Sequence, residues 1–211
     1  MLARILGLSV TLLALALNGN AAAACQAKNA IPVLDENFKT PDPGWGPPDD
    51  AASFTENGLV LKPPVNGSAW RWDSNFSLDG HDLCVTVVNP PRLPTNPGDM
   101  GDVGVWFWSK NGQSFYTATF SLNGMVSIDR LVNGVWHIVL APTLSGAIKT
   151  GGGAANEVEI VIRGSTGSFF INGTKITDFR GDPPPHGGPP GVYAESGSSA
   201  VAWTFARVQL F

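Results

Sequence analysis

NEVEIVIRGSTGSFFINGTKITDF, residues 156–179, decides the fold. Val158, Ile160 and Ile162 alternate with Glu157, Glu159 and Arg163, the period of two expected of a strand buried on one face. Gly164 to Gly167 then reverses the chain, and Ser168 to Ile171 supplies a return strand. Asn172-Gly173 suits the two positive φ angles of a type I′ turn, which leads into a third strand over Thr174 to Thr177. An antiparallel all-β domain follows.

The same grammar extends outward. Strand-like runs cover Leu34 to Phe38, Leu59 to Lys62, Ala69 to Trp72, Asp82 to Asn89, Asp102 to Trp108, Ser114 to Leu122, Met125 to Leu131, Val135 to Leu140, Gly191 to Ala194 and Ala200 to Leu210. About a dozen strands at this spacing predict two packed antiparallel sheets. Pro41 to Pro48, Pro90 to Pro97 and Pro183 to Pro190 are expected as loops, because proline lacks the ladder donor. No repeat, coiled-coil seam or amphipathic helix appears after the first two dozen residues.

Residues 1–24 read as an export signal: Arg4 is followed by an apolar run from Ile5 to Leu17 and by small residues up to Ala24. Residues 25–211 are expected to form one secreted or periplasmic domain, and no segment there has the roughly 20 apolar residues a membrane span needs. Removing Arg4 with the signal takes the formal net charge from −4 to −5. The remaining cations are scattered, which argues against nucleic acid as a partner. Cys25 and Cys84 have two readings: a disulfide tying the N-terminal arm to the strand at Asp82 to Val88, or a lipid on Cys25 as the first mature residue.

Gly104 to Trp108 (GVWFW), Tyr116, Arg130 to Trp136 (RLVNGVW), Ile148 to Gly151, Asn156, Ile171-Asn172-Gly173 and Gly191 to Ala194 (GVYA) resemble bacterial secreted domains of the concanavalin A-like lectin/glucanase superfamily. The similarity is to the laminin G-like branch and to the 3-keto-disaccharide hydrolase (DUF1080) domains, and it runs from about Leu34 to the C-terminus. It implies a jelly-roll sandwich with neighbouring first and last strands. It also implies carbohydrate binding or hydrolysis. The leading expectation is a carbohydrate-binding protein, with a glycoside-type hydrolase or lyase as the alternative and a structural envelope or matrix protein as a third.

Chemistry is harder to place. The glucanase branch carries Glu-x-Asp-x-Glu; this chain offers only Glu157-Val158-Glu159, which a solvated outer strip explains as well as a catalytic pair does. A nucleophile elbow, a P-loop, a zinc helix and a dinucleotide fingerprint are absent, and His81, His137 and His186 are scattered. No catalytic residue, cofactor or metal is therefore assigned. Asn96, Asp99 and Asp102 offer oxygen atoms in one loop, but their spacing matches no calcium loop. Arg180-Gly181-Asp182 spells an adhesion tripeptide in a Gly/Pro-rich setting.

The positive signal is aromatic. Strict alternation over Asp102 to Trp108 puts Trp106 and Trp108 on one face beside Gly104, with Tyr116 and Arg130 on following strands. These four are the candidate ligand-binding residues for a polysaccharide or oligosaccharide, since indole faces stack on apolar sugar faces. The competing reading is that both indoles are core. Trp70 and Trp72 share a face by the same rule and pose the same choice, while Arg71 points away from them.

Overall fold

The computed structural model describes residue 25 and residues 30–93 and 97–211; the expected signal segment and Asn96 lie outside the described residues. Fourteen strands make up the described chain: β1 (Leu34–Glu36), β2 (Ala52–Thr55), β3 (Gly58–Leu61), β4 (Ser68–Trp72), β5 (Leu83–Val88), β6 (Asp102–Asn111), β7 (Ser114–Ser121), β8 (Met125–Val132), β9 (Val135–Leu144), β10 (Ala155–Arg163), β11 (Thr166–Ile171), β12 (Thr174–Arg180), β13 (Gly191–Glu195) and β14 (Trp203–Leu210). They form two antiparallel sheets. One runs β12-β11-β10-β5-β14-β3-β2, with β1 also on β14, and the other runs β4-β13-β6-β7-β8-β9. Leu34 pairs with Leu210, so the first and last strands are neighbours.

Asn172 and Gly173 take φ of 49° and 77°, and Asn133-Gly134 repeats the turn at 49° and 81° between β8 and β9. The core between the sheets takes Val85, Val158, Ile160 and Val208 from one side and Val105, Phe107, Phe120 and Ile128 from the other. A chain of asparagines fixes the loop between β9 and β10. Asn172 Nδ2 donates to Asn156 Oδ1 (2.8 Å), Asn156 Nδ2 to Asn89 Oδ1 (3.1 Å), and Asn89 Nδ2 to the carbonyls of Lys149 and Gly151 (both 2.8 Å). Each buried amide thereby replaces the water it lost. Cys25 is bonded to Cys84 on β5, with Cα atoms 6.0 Å apart, so its sulfur is not free to carry a lipid. Among the described residues, no helix is long and apolar enough to cross a membrane.

Four local expectations are corrected. Strand β2 was missed, being a short edge element that pairs only with β3. Strand β9 continues to Leu144, bulging as it goes, past a proline that an edge strand tolerates. Glu159 is 1 % exposed rather than part of a solvated strip, because it lies between Cys84 and Phe170 in a central strand. Trp108 leaves the alternation: its φ is 48° and the β6–β7 register shifts after Phe107, which rotates the indole to the inner face.

Candidate functional site

Strict register builds a second, outward-facing surface on the six-stranded sheet. One row across the strands is Trp70, Tyr193, Gly104, Thr119 and Ser127; the next is Trp72, Gly191, Trp106, Thr117, Asp129 and Ile138. The sheet is curled into a trough. Tyr193 on β13 and Trp136 on β9 are four strand spacings apart, roughly 19 Å on a flat sheet, yet their ring centroids are 6.3 Å apart. Phe115 fills the space between, 5.7 Å from both Trp70 and Trp136. The aromatic half of the trough is thus closed by its own side chains, and Trp106, Phe115 and Tyr193 are buried there.

The polar half stays open as a pocket of about 200 Å³ lined by Thr117, Thr119, Asp102, Asp129, Glu195, Tyr193 and Trp136. Three strands bring its acids together: Asp102 starts β6, Asp129 lies in β8 and Glu195 ends β13. Hydroxyl groups hold them. The Tyr193 hydroxyl donates to Glu195 Oε1, Ser127 Oγ donates to Asp129 Oδ2 (3.1 Å), and Ser127 and Thr119 share a 3.0 Å hydrogen bond.

Burial pushes the Asp102 carboxyl up to about 6, and the negative charges of Glu195 and Asp129 add to the rise. Glu195 and Asp129 are likewise raised, mainly by burial. Burial and the Glu195 carboxylate raise the Tyr193 phenol, which stays a hydrogen-bond donor at neutral pH. Such a pocket combines carboxyl groups, hydroxyls and an indole 46 % exposed at Trp136, a mixed apolar and polar lining of the kind that takes a polyol ring.

The four aromatic-site residues read from the sequence do not form one platform. Trp108, Tyr116 and Arg130 line a separate pocket of about 130 Å³ together with Lys110 and Asp182. There the Arg130 guanidinium lies 5.2 Å from the Tyr116 ring centroid, the Asp182 backbone N–H donates to the Tyr116 hydroxyl (2.9 Å), and Asp182 pairs with Lys110 and Arg130 at 3.2 Å each. Trp108 is 1 % exposed and packs edge-on against Tyr116 and Phe179. Trp106 lies in the trough on the opposite face, stacked against Trp72 at 5.2 Å.

Other sequence candidates disperse. The carboxylate of the adhesion-like tripeptide is occupied by Lys110 and Arg130, and Gly181 seats the Trp108 ring. Glu157 and Glu159 belong to the other sheet. His81 meets the Phe211 carbonyl, His186 meets Asp79, and His137 lies exposed on β9. Of the oxygen-bearing trio expected in one loop, Asp99 lies in the turn Pro97–Met100 while Asp102 starts β6 and lines the trough pocket. Sequence reasoning missed Asp129, Glu195, Tyr193 and Trp136 as a group, although the alternation along β8, β9 and β13 would have placed each on one face.

No family profile and no curated protein matches the chain. Solved structures do match in fold. The carbohydrate-binding module CBM66 from Bacillus subtilis is 16 % identical with a TM-score of 0.55, covering 74 % of this chain and 88 % of that one. Bacillus licheniformis β-glucanase is 11 % identical at a TM-score of 0.55, over 84 % and 96 % of the two chains. The carbohydrate recognition domain of Emp46p is 14 % identical at 0.59, over 83 % and 93 %. The fold is therefore the concanavalin A-like jelly roll, in company that includes both sugar-binding and sugar-cleaving proteins.

Proposed function

We propose that this chain is an exported carbohydrate-binding β-sandwich whose ligand enters the trough of the six-stranded sheet. The observation that carries this is the convergence of Asp102, Asp129, Glu195 and Tyr193 from three strands into one pocket beside the exposed indole of Trp136. Carboxylates and hydroxyls there offer acceptors and donors to sugar hydroxyls, and the indole offers an apolar face. The fold neighbours support the ligand class, and the signal-like leader with the Cys25–Cys84 disulfide supports export.

The test is a glycan array and polysaccharide pull-down with the mature chain, with and without calcium, comparing wild type with Trp136→Ala and Asp129→Asn. Loss of a carbohydrate-array signal by roughly tenfold or more in folded variants is expected, since removing a stacked ring or a charged hydrogen bond costs about that much. Absence of any glycan signal in the wild type would return the chain to a structural envelope role.

A second reading has its own observation. Three carboxyl groups, Asp102, Asp129 and Glu195, share one pocket in which burial raises each of them, a setting in which one group can donate a proton while another stays ionised, as glycoside hydrolysis requires. On that reading the chain cleaves a glycoside, in line with its resemblance to the 3-keto-disaccharide hydrolase domains. Product analysis on any retained glycan separates the two: cleavage abolished by Asp102→Asn supports an enzyme, and intact ligand supports a binding module.

A further inference from the structure

Strand β4 is the edge of the sheet opposite β9, and the Pro43–Trp45 turn lies against it. Between them is a pocket of about 430 Å³, walled by Trp72, Arg71, Asp49, Ser74 and residues 44–47. Trp72 is the hinge between this pocket and the trough. Its inner face stacks on buried Trp106 with the rings 18° from parallel, while the side chain remains 37 % exposed. An indole held rigid on one face and open on the other is a stacking surface already in place, with little ordering left to do when a ring lands on it.

The opposite wall is polar and charge-balanced. Arg71 pairs with Asp49, whose second oxygen accepts from the backbone N–H groups of Ala51 (2.9 Å) and Ala52 (2.8 Å), so the carboxylate is fixed. Donors from the guanidinium and an acceptor from the carboxylate stand side by side with no net charge between them, a pattern suited to adjacent hydroxyls of an uncharged ring rather than to an anion. The loop wall carries little side-chain bulk: a Cβ at Gly46 would meet nothing within 4 Å.

We infer that the β4-edge pocket is a second, outlying sugar subsite that takes a neutral pyranose or furanose ring on Trp72, its hydroxyls bonded by Arg71 and Asp49. This rests on the proposed binding function and extends it. Between this pocket and the acidic one the row passes through Gly191, Trp106 and Thr117, all buried, so the two pockets are separate and each takes its own ring.

Calorimetric titration with neutral cello-, laminari- and xylo-oligosaccharides of increasing length tests this, using the mature chain, Trp72→Ala, Arg71→Gln and Trp136→Ala. The expected result is two binding events in the wild type: Trp72→Ala and Arg71→Gln should each weaken one of them by roughly tenfold and leave the other, which Trp136→Ala should weaken. A wild type with a single event that the β4-edge variants do not move overturns the outlying site and leaves the trough intact as a binding site. A wild type that binds none of these chains, or others on the array, overturns the binding function and the subsite with it. Arg71→Gln keeps the comparison valid should Trp72→Ala lose its fold.

Discussion

Gly191 shows how much one missing methyl group decides. It lies between Trp72 and Trp106 in the ladder, and a Cβ there would come within 2.7 Å of Trp106 Cε3 and of the Arg71 carbonyl oxygen. Gly191→Ala should cost about 1–3 kcal/mol in urea unfolding, as overpacking does, and should also disturb the indole stack. Trp108 and Trp136 separate core from surface in the same way. Trp108→Ala should lose about 3–5 kcal/mol, because the ring is sealed by Phe107, Tyr116 and Phe179. Trp136→Ala should stay within about 1 kcal/mol of wild type, since nearly half of it is already in water. Thermal and urea melts of the pair check both values; similar losses would contradict the placement of the two rings.

At the scale of elements, the disulfide and the edge strand pull in different directions. Cys25 and Cys84 are 59 residues apart, and closing so long a loop removes about 4 kcal/mol of unfolded-chain entropy. Reduction, or Cys84→Ser, should lower the melting temperature by an amount consistent with a large part of that value, read by calorimetry with and without reductant. Strand β9 is exposed along almost its whole length, with Val135, Ile138 and Leu144 at 59, 69 and 75 %. Its two bulges and Pro142 blunt it as a template for stray pairing. Ile138→Lys should accordingly leave stability within about 0.5 kcal/mol of wild type.

The whole molecule should feel the trough acids as a pH dependence. A carboxyl whose folded pKa is raised binds its proton more readily in the folded state, so its stabilising share is present at low pH and is lost as pH rises from the unfolded value near 3.8 through about 6. For Asp102 alone the loss is at most about 3 kcal/mol, and Glu195 and Asp129 change in the same direction. Asp35, Asp49, Asp178 and Asp182 are lowered by Arg or Lys partners and act oppositely below about pH 4, weakly because they are exposed. The melting temperature should therefore fall between pH 4.5 and 7, and Asp102→Asn should flatten that slope. A flat wild-type profile would mean that the trough acids are better solvated than their burial implies.

Residues 156–179 were enough to establish an antiparallel domain, because an alternating period and an Asn-Gly turn are local properties that each strand carries in its own sequence. Cross-strand partners are not local. The alternation that places Trp106 correctly fails at Trp108, where a positive φ is imposed by the seat that Gly181 and Phe179 provide from β12 and the loop after it. Likewise Asp102, Asp129 and Glu195 form no motif along the chain; they meet because β13 and β8 flank β6 and β7 in a curled sheet. Most strands, though not the short edge strand β2, were thus written in the sequence, whereas the strand order and the curl that gather the acids and aromatics arise only when distant segments pack, since the burial that sets them belongs to the assembled sandwich.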